Sequence, residues 1–279
     1  MRIRTNSILL LSALLAVPAL AVFDNPIPDA VSGAMGNITP TIGTGPTSLF
    51  GNPGISAGGA YRRSFNYADF DQMSAWAAYT DSKIGRACFT INSFSVTDLS
   101  TETKISLGYS RQLFSDIHTE LGLGAVTNLH SLSYGKSVSG TELGSGMGVT
   151  LDLAAEAVIY NRTRVRVLAE NLTATNMGVE GDIELPRAVT GAIFYSPYTA
   201  TDMVFHIRRE AGAEFTYGLG ISASPHEIVV FRLGAATNPD RVTGGIGLRY
   251  KILRFDYAIK SHPVLPLSHT ASLGVEIAR

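Results

Sequence analysis

Residues 214–223 read EFTYGLGISA, residues 228–235 IVVFRLGA, residues 245–260 GIGLRYKILRFDYAIK and residues 270–279 TASLGVEIAR. In the first, Phe215, Tyr217, Leu219, Ile221 and Ala223 alternate with Thr216, Gly218, Gly220 and Ser222. A period of two places the two sets on opposite faces of an extended strand. The pattern returns with Val229, Phe231, Leu233 and Ala235, with Ile246, Leu248 and Tyr250, with Leu253, Phe255, Tyr257 and Ile259, and with Ala271, Leu273, Val275 and Ile277. The opposite faces carry Gly, Ser, Thr and charge. Consecutive strands of about ten residues, apolar on one face and polar on the other, predict an all-β fold, a transmembrane antiparallel β-barrel.

Working back toward the amino end, the same alternation predicts strand cores at 56–65, 72–80, 85–94, 103–113, 118–128, 147–159, 163–172, 187–196 and 202–210, about fourteen strands in all. The connections alternate in length. Tight turns at 80–83, 114–116, 161–163, 224–226 and 252–253 interleave with longer polar stretches at 95–101, 131–145 and 173–184. Short periplasmic turns and longer outer loops are the pattern of an outer-membrane barrel with both chain ends on the periplasmic side.

Before the strands, Arg2 and Arg4 precede an apolar run from Ile8 to Leu20 and a small-x-small site at Ala19-Leu20-Ala21. This reads as a signal peptide over residues 1–21, leaving 258 of the 279 residues. Residues 22–54 carry Pro26, Pro28, Pro40 and Pro46 among Gly, Asn and Thr, with no strand or helix period, and read as irregular or as containing at most a short helix around Asp29 to Met35. Such an irregular segment is expected to lie in the lumen of the barrel at 55–279, or to close its periplasmic mouth, as a plug.

Charged residues make up 16% of the chain and the net charge is -1, which excludes a basic surface for nucleic acid. The lone Cys88 falls in phase with Arg86 and Thr90 on the polar face, so no internal disulfide forms. The inward faces collect Glu120, Asp152, Glu156, Arg164, Arg166, Arg232, Arg249, Asp256 and Glu276. Asp152 and Glu156 neighbour Arg164, Arg166 and Glu170 on the next strand, and a two-residue register across Ile252 and Leu253 sets Arg249 opposite Asp256. These charges are expected to pair across strands.

Three places resemble a known family. Ser48-Leu49-Phe50-Gly51-Asn52-Pro53-Gly54 is similar to a loop ending in Asn-Pro-Ala-Gly before a first strand; Phe255-Asp256-Tyr257-Ala258 is similar to an Asp-Tyr-Ala in a penultimate strand; His269-Thr270-Ala271-Ser272-Leu273-Gly274 is similar to a closing His-x-x-Ser-Leu-Gly. The family is the PorV and PorQ kind of outer-membrane barrel, related to the FadL-type transporters. Gly54 departs from it by standing where the family has Ala, and Ile277-Ala278-Arg279 departs by replacing a terminal aromatic residue. The resemblance implies a non-enzymatic bacterial outer-membrane protein that serves transport or protein secretion, with Asn52, Pro53 and Gly54 as its plug motif. Its partners are outer-membrane lipid, the barrel assembly machinery, and secretion-system proteins or a hydrophobic solute.

Alternatives remain open at this level. A FadL-like uptake channel for small hydrophobic solutes predicts an apolar track inside and a gap in the wall, whereas the inward positions read as mostly charge and Gly. A lipid-modifying barrel enzyme would pair His130 with Ser131 or Ser133. An exported β-sandwich would be water-soluble. The six histidines lack metal-ligand spacing, and no hydrolase, zinc-protease or phosphate-loop motif is present, so no cofactor is expected.

Overall fold

A computed structural model describes residues 28–37, 51, 53–67, 69–136, 144–173, 175–177 and 185–278. The proposed signal peptide and Asn52 lie outside the described residues. A helix, α1 (Ala30–Ala34), precedes β1 (Gly54–Arg63), a 3-10 turn at Ser64–Asn66, β2 (Phe70–Asp81), β3 (Gly85–Val96), β4 (Ser100–Ser115), β5 (Thr119–Tyr134), β6 (Ser145–Ile159) and β7 (Thr163–Glu170). Then follow β8 (Ala188–Tyr198), β9 (Thr201–Glu210), β10 (Thr216–His226), β11 (Val229–Ala236), β12 (Arg241–Tyr250), β13 (Leu253–Lys260) and β14 (Ser268–Ala278). The fourteen strands form one closed antiparallel barrel, each beside its sequence neighbours and β14 back against β1.

The period of two decides what each face meets. Phe231 is 52% and Leu233 62% exposed, while Arg232 between them is 4% exposed. The barrel is apolar outside and polar inside, the reverse of a water-soluble sandwich, and a barrel closes its backbone hydrogen bonds without leaving an edge to hydrocarbon. Among the described residues no helix is long and apolar enough to cross a membrane. Exposed aromatic residues collect near both rims, including Tyr79, Tyr160, Tyr198 and Tyr250 at one end and Tyr67, Phe215 and Tyr217 at the other.

Connections at one end, from β2 to β3 and so on alternately to β12 and β13, are two or three residues long. Three register shifts adjoin that end, at Gln112/Phe114, Tyr195/Tyr198 and Ala223/His226. The opposite end carries the longer connections, with a correction to two of the expected loops: 95–101 is largely strand, because β3 and β4 pair as far as Val96 and Ser100, and 131–145 is shortened, because β5 and β6 pair as far as Ser133 and Ser145. A second correction concerns register. The turn after β12 is made by Lys251, at φ 53°, and Ile252, so Tyr250 pairs with Leu253 and Arg249 faces Arg254, not Asp256.

At Gly54 the backbone has φ +142°, and an added Cβ would run into the Ile277 carbonyl of β14. An alanine does not fit where β1 starts its pairing with β14. This accounts for the departure from the Ala of the resembled loop.

Candidate functional site in the barrel lumen

Helix α1 lies inside the barrel against β11 to β14. Ala30 and Ala34 pack on Ala258 of β13. Asp29 caps the helix by accepting from Val31 N at 3.4 Å and Ser32 N at 3.1 Å. Burial pushes the Asp29 carboxyl up, against the lowering effect of those bonds. Wall hydroxyls hold the helix at both ends. Ala30 N donates to Ser272 Oγ at 2.8 Å, and Ser74 Oγ donates to the Pro28 carbonyl at 3.1 Å. Past the last turn, Gly36 N donates to Thr243 Oγ1 at 3.0 Å while that hydroxyl donates to the Ala34 carbonyl at 2.8 Å.

The wall beneath this turn is made of glycine. A Cβ on Gly220 would lie 2.7 Å from Met35 Cβ, one on Gly245 2.7 Å from Ala34 Cβ, and one on Gly234 would strike Gly36 N. Three adjacent strands thus omit side chains where the segment at 34–36 comes closest.

The inward charges are largely matched. Glu156 and Arg166 are register partners, with Arg166 Nε donating to Glu156 Oε2 at 2.6 Å. Arg232 Nη1 donates to Asp256 Oδ1 at 2.7 Å across β12, whose Gly247 lies between them and has no side chain to obstruct the bond. Arg254 pairs with Glu276, and Arg208 with Glu170. Asp152 accepts from Asn128 Nδ2 and Asn171 N, each at 2.7 Å. Arg164 stands over the Phe194 ring at 5.7 Å and Arg166 at 5.4 Å. Glu120 points inward from the short-turn end of β5, and Arg249 lines the same end of β12. Pro53 and Gly54 sit at the start of β1, where Gly54 pairs with Ala278 of β14 and Thr80 of β2.

His130 faces the lumen and its Nε2 lies 3.0 Å from Thr150 Oγ1. Ser131 and Ser133 alternate with it and point through the opposite face of β5, so the base–nucleophile pairing the sequence allowed does not form. Among the described residues no group of His, Cys, Asp and Glu converges for a metal ion.

The lumen also holds apolar clusters that the sequence reading missed. At the long-loop end, Met177 and Leu185, which follow β7, pack on Leu132. Farther in, Ala154 and Leu168 pack with Val126 and Cys88. Toward the short-turn end, Phe194, Ala192 and Val204 pack on Met35 beside α1. The signal was present: Ile193-Phe194-Tyr195 and Met203-Val204-Phe205 are runs of three large apolar residues. Alternation cannot place all three outside, so Phe194 and Val204 point inward, as register partners.

No family model matches the chain, and no curated protein matches it. Solved structures do. The CymD monoaromatic hydrocarbon channel aligns over 91% of this chain and 98% of its own, with 12% identity and TM-score 0.65. The toluene transporter TbuX of Ralstonia pickettii aligns over 92% and 100%, with 13% identity and TM-score 0.62. A FadL homologue of Pseudomonas aeruginosa aligns over 90% and 98%, with 10% identity and TM-score 0.55. At that identity the likeness is one of fold, and it lies on the FadL side of the sequence-level resemblance. The chain has the fourteen-stranded fold of outer-membrane hydrocarbon channels.

Proposed function

We propose that the protein is an outer-membrane channel for small hydrophobic solutes, with α1 seated in its lumen as a plug. The carrying observation is the series of apolar clusters in an otherwise polar interior, from Leu132, Met177 and Leu185 through Ala154 and Leu168 to Phe194, Val204 and Met35. An interior built only for water or for a fixed ion-pair lattice has no use for packed apolar clusters stepped along it as far as α1. The fold shared with hydrocarbon channels supports the same reading. The fourteen strands close into one barrel, and on this reading the solute passes through its lumen. A secretion-accessory role finds no comparable observation.

The test is uptake of a radiolabelled monoaromatic hydrocarbon by vesicles containing the full protein. Leu168→Gln and Phe194→Gln each put an amide into the apolar clusters, and both are expected to slow uptake at least about fivefold while the heat-shifted gel band persists, since an unpaired buried amide costs at least about 1 kcal/mol. Uptake equal to empty vesicles in the wild type, or unchanged in both variants, would sink the reading.

A further inference from the structure

The outer face carries a feature that passage through the lumen does not use. Across β14, β1 and β2 four small outward residues, Ala271, Ala57, Gly59 and Ala75, form a floor. Leu273 and Phe255 rise on one side of it, Met73 and Ile91 on the other. The groove between them has a volume of about 1000 Å³, at the upper end of the range for small-molecule clefts.

Its long-loop end is polar. Tyr61 lines the groove with its ring and donates from its hydroxyl to Asp71 Oδ1 at 2.6 Å. Arg63, next on the same face, donates to Tyr61 Oη from Nε at 3.2 Å and from Nη2 at 3.0 Å, lies 3.7 Å from Asp71, and keeps 43% of its side chain exposed. Its register partner on β14 is His269, whose Nδ1 lies 2.7 Å from Tyr257 Oη. Arg63 and His269 therefore stand side by side, facing outward at the strand ends, about 20 Å of strand beyond Ala57 at roughly 3.3 Å per residue.

We propose that this groove is a lipid site, in which acyl chains lie on the small-residue floor and a headgroup phosphate is held by Arg63 with His269 beside it. The groove faces hydrocarbon and is lined by apolar groups, which selects chains. At its end a guanidinium already fixed against Tyr61 presents its open side at interface height, which selects an anionic oxygen group. A second copy of this chain would have to bury that guanidinium against an apolar wall, at a cost the phosphate avoids. The inference rests on the barrel standing in a membrane and is independent of what crosses its lumen.

The experiment counts lipids on the full protein by native mass spectrometry in detergent titrated with phosphatidylglycerol, and separately with diacylglycerol, which has the same chains and no phosphate. Gly59→Leu with Ala75→Leu fills the groove and is expected to abolish retention of both. Arg63→Gln is expected to weaken phosphatidylglycerol about fivefold, the value of one basic residue at a lipid surface, and to leave diacylglycerol unchanged. Should the filled variant not fold, the Arg63→Gln comparison decides alone. Equal binding of phosphatidylglycerol by wild type and Arg63→Gln overturns the proposal, as does a dimer mass that the filled groove removes. Hydrocarbon uptake that stays unchanged in Arg63→Gln while lipid binding falls supports the site separately from the transport reading.

Discussion

Arg166 of β7 donates to Glu156 of β6 inside the lumen, and both are nearly inaccessible, at 1% and 5% exposure. Removing one member of a buried pair takes the opposite charge away from the other, which costs about 3–5 kcal/mol, whereas replacing both with apolar groups can be neutral. Glu156→Gln is therefore expected to lower the temperature at which the folded gel band is lost, and Glu156→Leu with Arg166→Met to restore most of it. Equal midpoints for wild type and Glu156→Gln would mean that the pair contributes nothing.

The glycine seat under residues 34–36 gives a second prediction. Gly220→Val puts branched carbon into space that Met35 occupies, so α1 is expected to leave its site while the barrel, whose ladders do not involve that side chain, stays folded. Planar-bilayer conductance should rise in this variant and remain low in the wild type. Unchanged conductance with an intact barrel would count against α1 as the closing element.

Thr243 bonds both Gly36 N and the Ala34 carbonyl. Thr243→Val keeps the shape and leaves both backbone groups unpaired, at about 1–3 kcal/mol for a buried polar group. Hydrogen exchange at the Gly36 amide is expected to accelerate by at least about fivefold, with the strand amides unaffected.

Phe231 and Arg232 are consecutive, and the wall separates them. Phe231→Arg places on the lipid side the group that its neighbour carries on the lumen side, at an expected cost of about 2–4 kcal/mol near the midplane. Equilibrium unfolding from lipid vesicles measures it. A cost near zero would argue that Phe231 meets water.

The strand count and the faces were legible because every strand has one side in an apolar medium, and alternation records that directly. Register was less so. Whether the turn after β12 begins at Lys251 or a residue later is a matter of backbone torsion at Lys251, and that single step decided whether Arg249 met Asp256 or Arg254. The inward lining was read as charge and glycine because alternation counts the larger set of apolar residues and discounts exceptions; Phe194, Val204 and Leu168 are those exceptions. The sequence allowed at most a short helix around Asp29 to Met35, and its seat was not legible at all. Gly220, Gly234 and Gly245 lie far along the chain, and nothing local marks a glycine as reserved for a distant turn.

The position of α1 also fixes an order of events. It precedes every strand in the chain, yet it packs mainly on β11, β12, β13 and β14, with Val31 reaching the cluster on β8 and β9, and the ladder joining β1 to β14 closes the barrel. Such distant contacts form slowly, because the intervening loop entropy is spent before they are made. Docking of α1 is therefore expected to follow the pairing of the strands that seat it, so that most of the wall stands before its interior is filled.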